Sequence, residues 1–216
     1  MIKAVIFDLD GTLANTFDDL RSSIDDMRAA FGMGPISLEQ MTSFINASLR
    51  GFAEGGLGIT EPDETIEKAM QIYLGAYAKH YLEKTCAYDG LHELLAKLRE
   101  NGVRLAVYSN KMTDYVQKII VKIYGEGVFD YLMGPDGITP KPDPMGANII
   151  AANWGLDPSD IAYVGDSVTD MKTGLAAKMN TIAVSWGYTE RGLLIEAGAH
   201  KIADTVSELY DILETL

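Results

Sequence analysis

Apolar residues along this chain follow two rhythms. Short, largely apolar runs at IKAVIF (2–7), VRLAVYS (103–109), IAYVG (161–165) and TIAVS (181–185) read as buried strands. FDYLM (129–133) reads as a shorter strand and HKIAD (200–204) as a weak edge strand. Elsewhere the spacing is three and four. Leu20, Ile24, Met27 and Phe31 mark a helix over 17–31, which Gly32, Gly34 and Pro35 end. Helices are expected over 37–47 and 62–80, with a glycine-rich loop, RGFAEGGLG (50–58), between them. LHELLAKLRENG (91–102) is amphipathic, with Asp89 as expected N-cap and Gly102 as closing glycine. Further helices are expected over 112–124, 146–155, 168–178 and 205–216.

Strands alternating with helices imply an α/β fold: a Rossmann-like, mostly parallel sheet with helices on both faces. The stretch 14–85 is helical with no convincing strand, so it reads as an insert after the first strand. The expected organisation is an α/β core built from 1–13 and 86–216, with a small helical domain at 14–85.

Composition narrows the function. With 31 acidic against 18 basic residues, the chain carries a formal charge of -13, which argues against phosphate-backbone binding along a basic face. Any anion it handles requires local positive charge from a metal or a few placed lysines and arginines. No stretch approaches the roughly 20 apolar residues of a membrane span, and the first apolar run stops at Asp8, too early for a signal peptide. The single cysteine, Cys86, rules out an internal disulfide framework and is expected as a small core residue. A cytoplasmic protein without membrane or nucleic-acid partners, monomer or homodimer, is the expectation. His80, His92 and His200 lack metal-cluster spacing and read as surface or helical-insert residues. Met27, Met33, Met41, Met70 and Met145 read as packing, and Trp154 and Trp186 as core or sheet-edge aromatics.

The chemistry lies just past the strands, where open parallel sheets bind ligands. Asp8, Asp10 and Thr12 follow the first strand, and Ser109, Asn110 and Lys111 follow the second. Lys141 sits in the proline-rich loop after the third, and Asp166, Ser167 and Asp170 follow the fourth. Asp8 and Asp10, two residues apart, face the same way in extended chain and repel unless a cation or a shared proton intervenes. Several carboxylates at one sheet edge suit a hard cation such as Mg2+, and metal plus Lys141 can hold a phosphate. A carboxylate there can attack phosphorus, and a second acid can move the proton.

DLDGTLANT, YSNK, KPDP and GDSVTDM resemble, in order, the four motifs of the haloacid dehalogenase superfamily, in its phosphatase branch. The layout is similar to the phosphoglycolate phosphatase and β-phosphoglucomutase group, whose helical cap follows the first strand. The resemblance implies a Mg2+-dependent hydrolase of small phosphate monoesters working through an aspartyl phosphate, with the cap closing over the site. It implies Asp8 as nucleophile and Asp10 as general acid and base. Asp8 and Asp166 would ligate Mg2+ by side chain and Asp10 by its backbone carbonyl, with Asp170 ordering the metal's water shell or the lysine. Ser109 and Lys141 would hold phosphate, Asn110 and Arg50 are further candidate substrate contacts, and Thr12 would orient the Asp10 region. SWGY (185–188) also matches the group. INASLRG (45–51) departs from the group's G-x-G cap element, with Asn46 and Ser48 replacing glycine, and Asn15 stands where many relatives carry aspartate. A phosphomutase of the same group, and a catalytically silent phosphate-binding module, are the competing readings.

Overall fold

The computed structural model describes residues 2–216. The chain divides into two compact units, one formed by residues up to Asn15 with Ala87–Leu216, the other by Thr16–Cys86.

The first unit holds a six-stranded sheet of β1 (Ala4–Phe7), β4 (Arg104–Tyr108), β5 (Tyr131–Met133), β6 (Ile161–Gly165), β7 (Asn180–Val184) and β8 (Lys201–Ala203). Its order is β5-β4-β1-β6-β7-β8 and every pairing is parallel. All four β1 residues and all five β6 residues are buried, so consecutive side chains, which point to opposite faces, are both covered. The flanking helices are α5 (Leu91–Glu100), α6 (Thr113–Tyr124), α7 (Met145–Trp154), α8 (Val168–Ala176), α9 (Arg191–Glu196) and α10 (Val206–Glu214). On one face Ile150, Ala151 and Trp154 of α7 pack with Ile6, Tyr108 and Tyr163. Register sets the site: Phe7 lies level with Val107 and Val164, so the residues just past all three strands emerge at one sheet edge.

The short strands β2 (Ala14–Asn15) and β3 (Cys86–Ala87) form a separate two-stranded ribbon. Cys86 is exposed there, not a core residue: its two-residue strand lies outside the six-stranded sheet and its buried layers. Asp89 does not cap α5. Gly90 takes that place with φ 84°, a left-handed conformation that glycine adopts without strain. Met145 is exposed rather than packed, Met33 is partly buried, and Met27 and Met41 are fully buried.

The second unit contains α1 (Phe17–Ala30), α2 (Leu38–Thr42), α3 (Leu49–Leu57) and α4 (Asp63–His80). The glycine-rich stretch is helical, correcting the expected loop. Ser48 caps α3 by accepting from the Gly51 N–H, and Phe52, Ala53, Gly56 and Leu57 are buried along it. A Cβ at Gly55 would strike Phe44, and one at Gly56 would strike Met27 and Ile24. The glycines let the helix approach its neighbours closely, which offsets a propensity cost of about 1 kcal/mol each. The helix expected over 37–47 is confined to α2, started by a Ser37–Gln40 capping box. Asp19, fully buried on α1, accepts from the Lys84 and Thr85 N–H groups and from Thr85 Oγ1 at 2.7 Å. That carboxylate ties the last residues of the unit to its first helix.

Candidate active site

Asp8 follows β1 directly, and its N–H donates to the Val164 carbonyl at 2.9 Å, which extends the sheet by one residue. Its Oδ1 accepts from Lys141 Nζ at 2.6 Å, and the same ammonium donates to Asp170 Oδ1 at 2.7 Å. Asp170 stands in the first turn of α8. Its Oδ2 accepts from Ser167 N and Oγ, and Ser167 Oγ accepts the Asp170 N–H, a reciprocal box that leaves the carboxylate one orientation. Asp166 is held from both sides, Oδ1 by Thr12 Oγ1 at 3.1 Å and Oδ2 by the Tyr188 N–H at 2.8 Å.

Asp8, Asp166 and Asp170 are all buried, and each offers an oxygen within 4.8 Å of the others. One ammonium, that of Lys141, pairs with two of them, Asp8 and Asp170. Burial pushes the Asp8 carboxyl up to about 7, Asp170 adds to this, Lys141 opposes it and Asp10 contributes a further push. Burial, Asp8 and Asp170 likewise hold Asp166 well above the carboxylate range, against Tyr188 and Thr12. Burial alone would depress Lys141, yet Asp170 and Asp8 outweigh it and keep the ammonium charged. The cluster thus holds more acid groups than its one ammonium can balance, and their full ionisation is costly in this dry setting. A donor set made only of oxygens, short of positive charge, fits a hard divalent cation.

Glycines allow this crowding. Gly11 has φ 81°, and a Cβ there would collide with the Asp166 carboxylate. A Cβ at Gly187 would enter the same carboxylate from the other side.

Asp10 is outside the three-acid group, with Oδ1 accepting from Lys111 Nζ at 2.8 Å. Ser109 is buried, and its Oγ accepts the Lys111 N–H. Asn110 clamps the Lys141 backbone, Nδ2 donating to its carbonyl at 3.1 Å and Oδ1 accepting its N–H at 2.8 Å. The hydroxyl of Thr12 engages Asp166 rather than the Asp10 carboxylate. Arg50 lies on α3 in the other unit, where it pairs with Glu54 and Asp63, and these hydrogen bonds raise its pKa. The sequence motifs alone leave Lys111, Trp186 and Tyr188 without roles. Trp186 Nε1 donates to the Thr12 carbonyl at 3.2 Å, which, with the Tyr188 amide, gives SWGY its place at the site. The sequence signal for it is position alone: the stretch comes directly after a strand of the same sheet.

The haloacid dehalogenase-like hydrolase profile matches residues 5–184. The chain is 31% identical over 99% of its length to N-acetylmuramic acid 6-phosphate phosphatase of Pseudomonas aeruginosa, covering 95% of that protein. It is 30% identical to phosphoglycolate phosphatase of Psychrobacter arcticus, over 98% of this chain and 95% of the other. A Lactobacillus delbrueckii subsp. bulgaricus crystal structure, provisionally described as a phosphoglycolate phosphatase, superposes with TM-score 0.91 at 28% identity, covering 99% of each chain. The chain belongs to the haloacid dehalogenase-like hydrolases, on their phosphatase branch. No helix among the described residues is long and apolar enough to cross a membrane.

Proposed function

We propose that the protein hydrolyses small phosphate monoesters through an aspartyl phosphate on Asp8, with Mg2+ as cofactor. The observation that carries this reading is the buried Asp8–Lys141–Asp170 chain of contacts beside Asp166. Asp8 and Asp166 would hold the cation by side chain and Asp10 by its carbonyl, and the cation would neutralise charge on the phosphoryl oxygens. Lys141, fixed by Asn110 and aimed by Asp170, binds a phosphoryl oxygen together with Ser109. The Asp8 carboxylate attacks phosphorus as the bond to the leaving oxygen breaks, and Asp10 gives that oxygen a proton. Water then attacks the phosphorus, its proton passes to Asp10, and Asp8 is released. We assign substrate choice to the helical unit 16–86.

The test is phosphate release from a panel of esters, run with Mg2+, with EDTA and with Asp8→Asn. Phosphoglycolate and N-acetylmuramic acid 6-phosphate, which the names of two relatives suggest, belong on it. Release that needs the cation and falls at least about a thousandfold in Asp8→Asn is expected. Release that survives both would sink the mechanism. Phosphoenzyme that builds up and passes its phosphoryl group to a hydroxyl of a sugar phosphate, with a sugar bisphosphate needed as activator, would favour the mutase instead.

A further inference from the structure

A second lysine–aspartate pair accompanies the first. Lys111 Nζ donates to Asp10 Oδ1 at 2.8 Å, with the two side chains only 8% and 17% exposed. The residues are 101 positions apart and meet because β1 and β4 are sheet neighbours. Each end has its own anchor. The Lys111 N–H donates to Ser109 Oγ, and the Ser109 N–H continues the sheet to the Met133 carbonyl. On the other side, the Gly11 N–H donates to the Ala14 carbonyl at 2.9 Å, which closes the turn that carries Asp10. The segment 109–111 thus grips both pairs: Asn110 holds the backbone of Lys141, and Lys111 holds the carboxylate of Asp10.

An exposed ion pair of this kind would do little. This one is largely withdrawn from water and fixes a group whose work depends on place, since misplacement by about 1 Å can cost about a hundredfold in rate. We propose that Lys111 is a positioning residue for Asp10, orienting its carboxyl group through Oδ1 for both proton transfers. The inference rests on the reading of Asp10 as general acid and base. In the first half-reaction the Asp8–phosphorus bond forms, the bond to the leaving oxygen breaks, and the Asp10 proton goes to that oxygen. Asp10 is left as a carboxylate held by Lys111. In the second, the water–phosphorus bond forms, the Asp8–phosphorus bond breaks, and the water's proton returns to Asp10. Lys111 keeps its own protons throughout.

Leaving-group dependence separates this role from a structural one. 4-Nitrophenyl phosphate expels a weakly basic phenolate that needs little protonation, whereas phosphoglycolate, an alkyl phosphate, needs the proton. kcat/KM, which reports the first half-reaction, would be measured on both esters in the same preparation, so that the folded fraction cancels in the ratio. Lys111→Met is expected to lower the alkyl-to-aryl ratio by about tenfold or more, and Lys111→Arg to recover part of it. Added to Asp10→Asn, Lys111→Met should cost less than about a further twofold. Equal losses on both esters, or a full multiplicative loss in the double variant, would overturn the proposal. If Asp10→Asn itself leaves the ratio unchanged, the acid–base reading of Asp10 falls and takes this proposal with it. A ratio that moves in Asp10→Asn but not in Lys111→Met overturns the role of Lys111 alone.

Discussion

Lys141 Nζ and Asp8 Oδ1 lie 2.6 Å apart, with the two side chains 4% and 7% exposed, so the candidate nucleophile is held by an ammonium that water hardly reaches. Lys141 is also the only cation that any ion pair with Asp8 or Asp170 uses among the described residues. Replacing it by methionine keeps the stem but strands the two buried acids it pairs with, Asp8 and Asp170. The expected result is a loss of about 3–5 kcal/mol in unfolding free energy without metal, partly restored by a divalent cation. Denaturant titration with and without Mg2+ checks both halves.

Metal-free stability should fall as the pH rises. The Asp8 carboxyl sits at about 7 in the folded protein against an ordinary value of 3.8, because burial and Asp170 disfavour its charge. Between those values the folded state keeps a proton that the unfolded chain releases, so protonation favours folding below the window and the advantage is lost as pH climbs through about 7. Asp166 is shifted in the same direction. Thermal melts in EDTA across this range should show a decline, and Mg2+ should flatten it. A stability that rises across the window without metal would contradict the sign.

Asn110 makes two hydrogen bonds to one residue, the backbone of Lys141. Asn110→Ala should therefore lower turnover by about ten- to a hundredfold through a displaced lysine, while the fold persists. Asn110→Asp should be no better, because a carboxylate cannot donate to the Lys141 carbonyl. Steady-state rates and circular dichroism on both variants decide it.

Gly187 stands against Asp166 with no room for a methyl group. Gly187→Ala should displace that carboxylate and the Tyr188 N–H that binds it, weakening Mg2+ affinity by about tenfold or more. Isothermal titration with Mg2+ measures the change directly, and unaltered affinity would show that Asp166 does not need this support.

Asp19 satisfies two backbone donors and a hydroxyl at the end of the helical unit. Asp19→Ala leaves them without their buried partner and should cost about 3 kcal/mol. Hydrogen exchange at Lys84 and Thr85 should speed up before the amides of β1 and β6 respond.

The α/β class and the sheet edge that gathers the acids are readable from the apolar runs and the polar residues at their C-terminal ends. Buried parallel strands leave unbroken hydrophobic stretches, and strand ends are where this architecture exposes chemistry. The helix α3 is not readable, because its glycines mimic a loop until Phe44 and Met27 are seen filling the space where side chains would go. The meaning of Asn110 is hidden for a similar reason. Its partners are backbone atoms of Lys141, which carry no residue type for a motif to register. Tyr188 acts on Asp166 through its amide, and Lys111 meets Asp10 across 101 positions, so neither contact has a local signature.

The central strand has a consequence for synthesis. β1 is made first, yet its two neighbours in the sheet are Arg104–Tyr108 and Ile161–Gly165. Until the ribosome has released those segments, residues 4–7 are an apolar strand with both edges open. The helices of 17–80, by contrast, belong to one compact unit whose residues are all made well before. A nascent chain of this design has made its whole helical insert while its sheet still lacks partners, and no fragment ending before Asp170 can hold all three acids together.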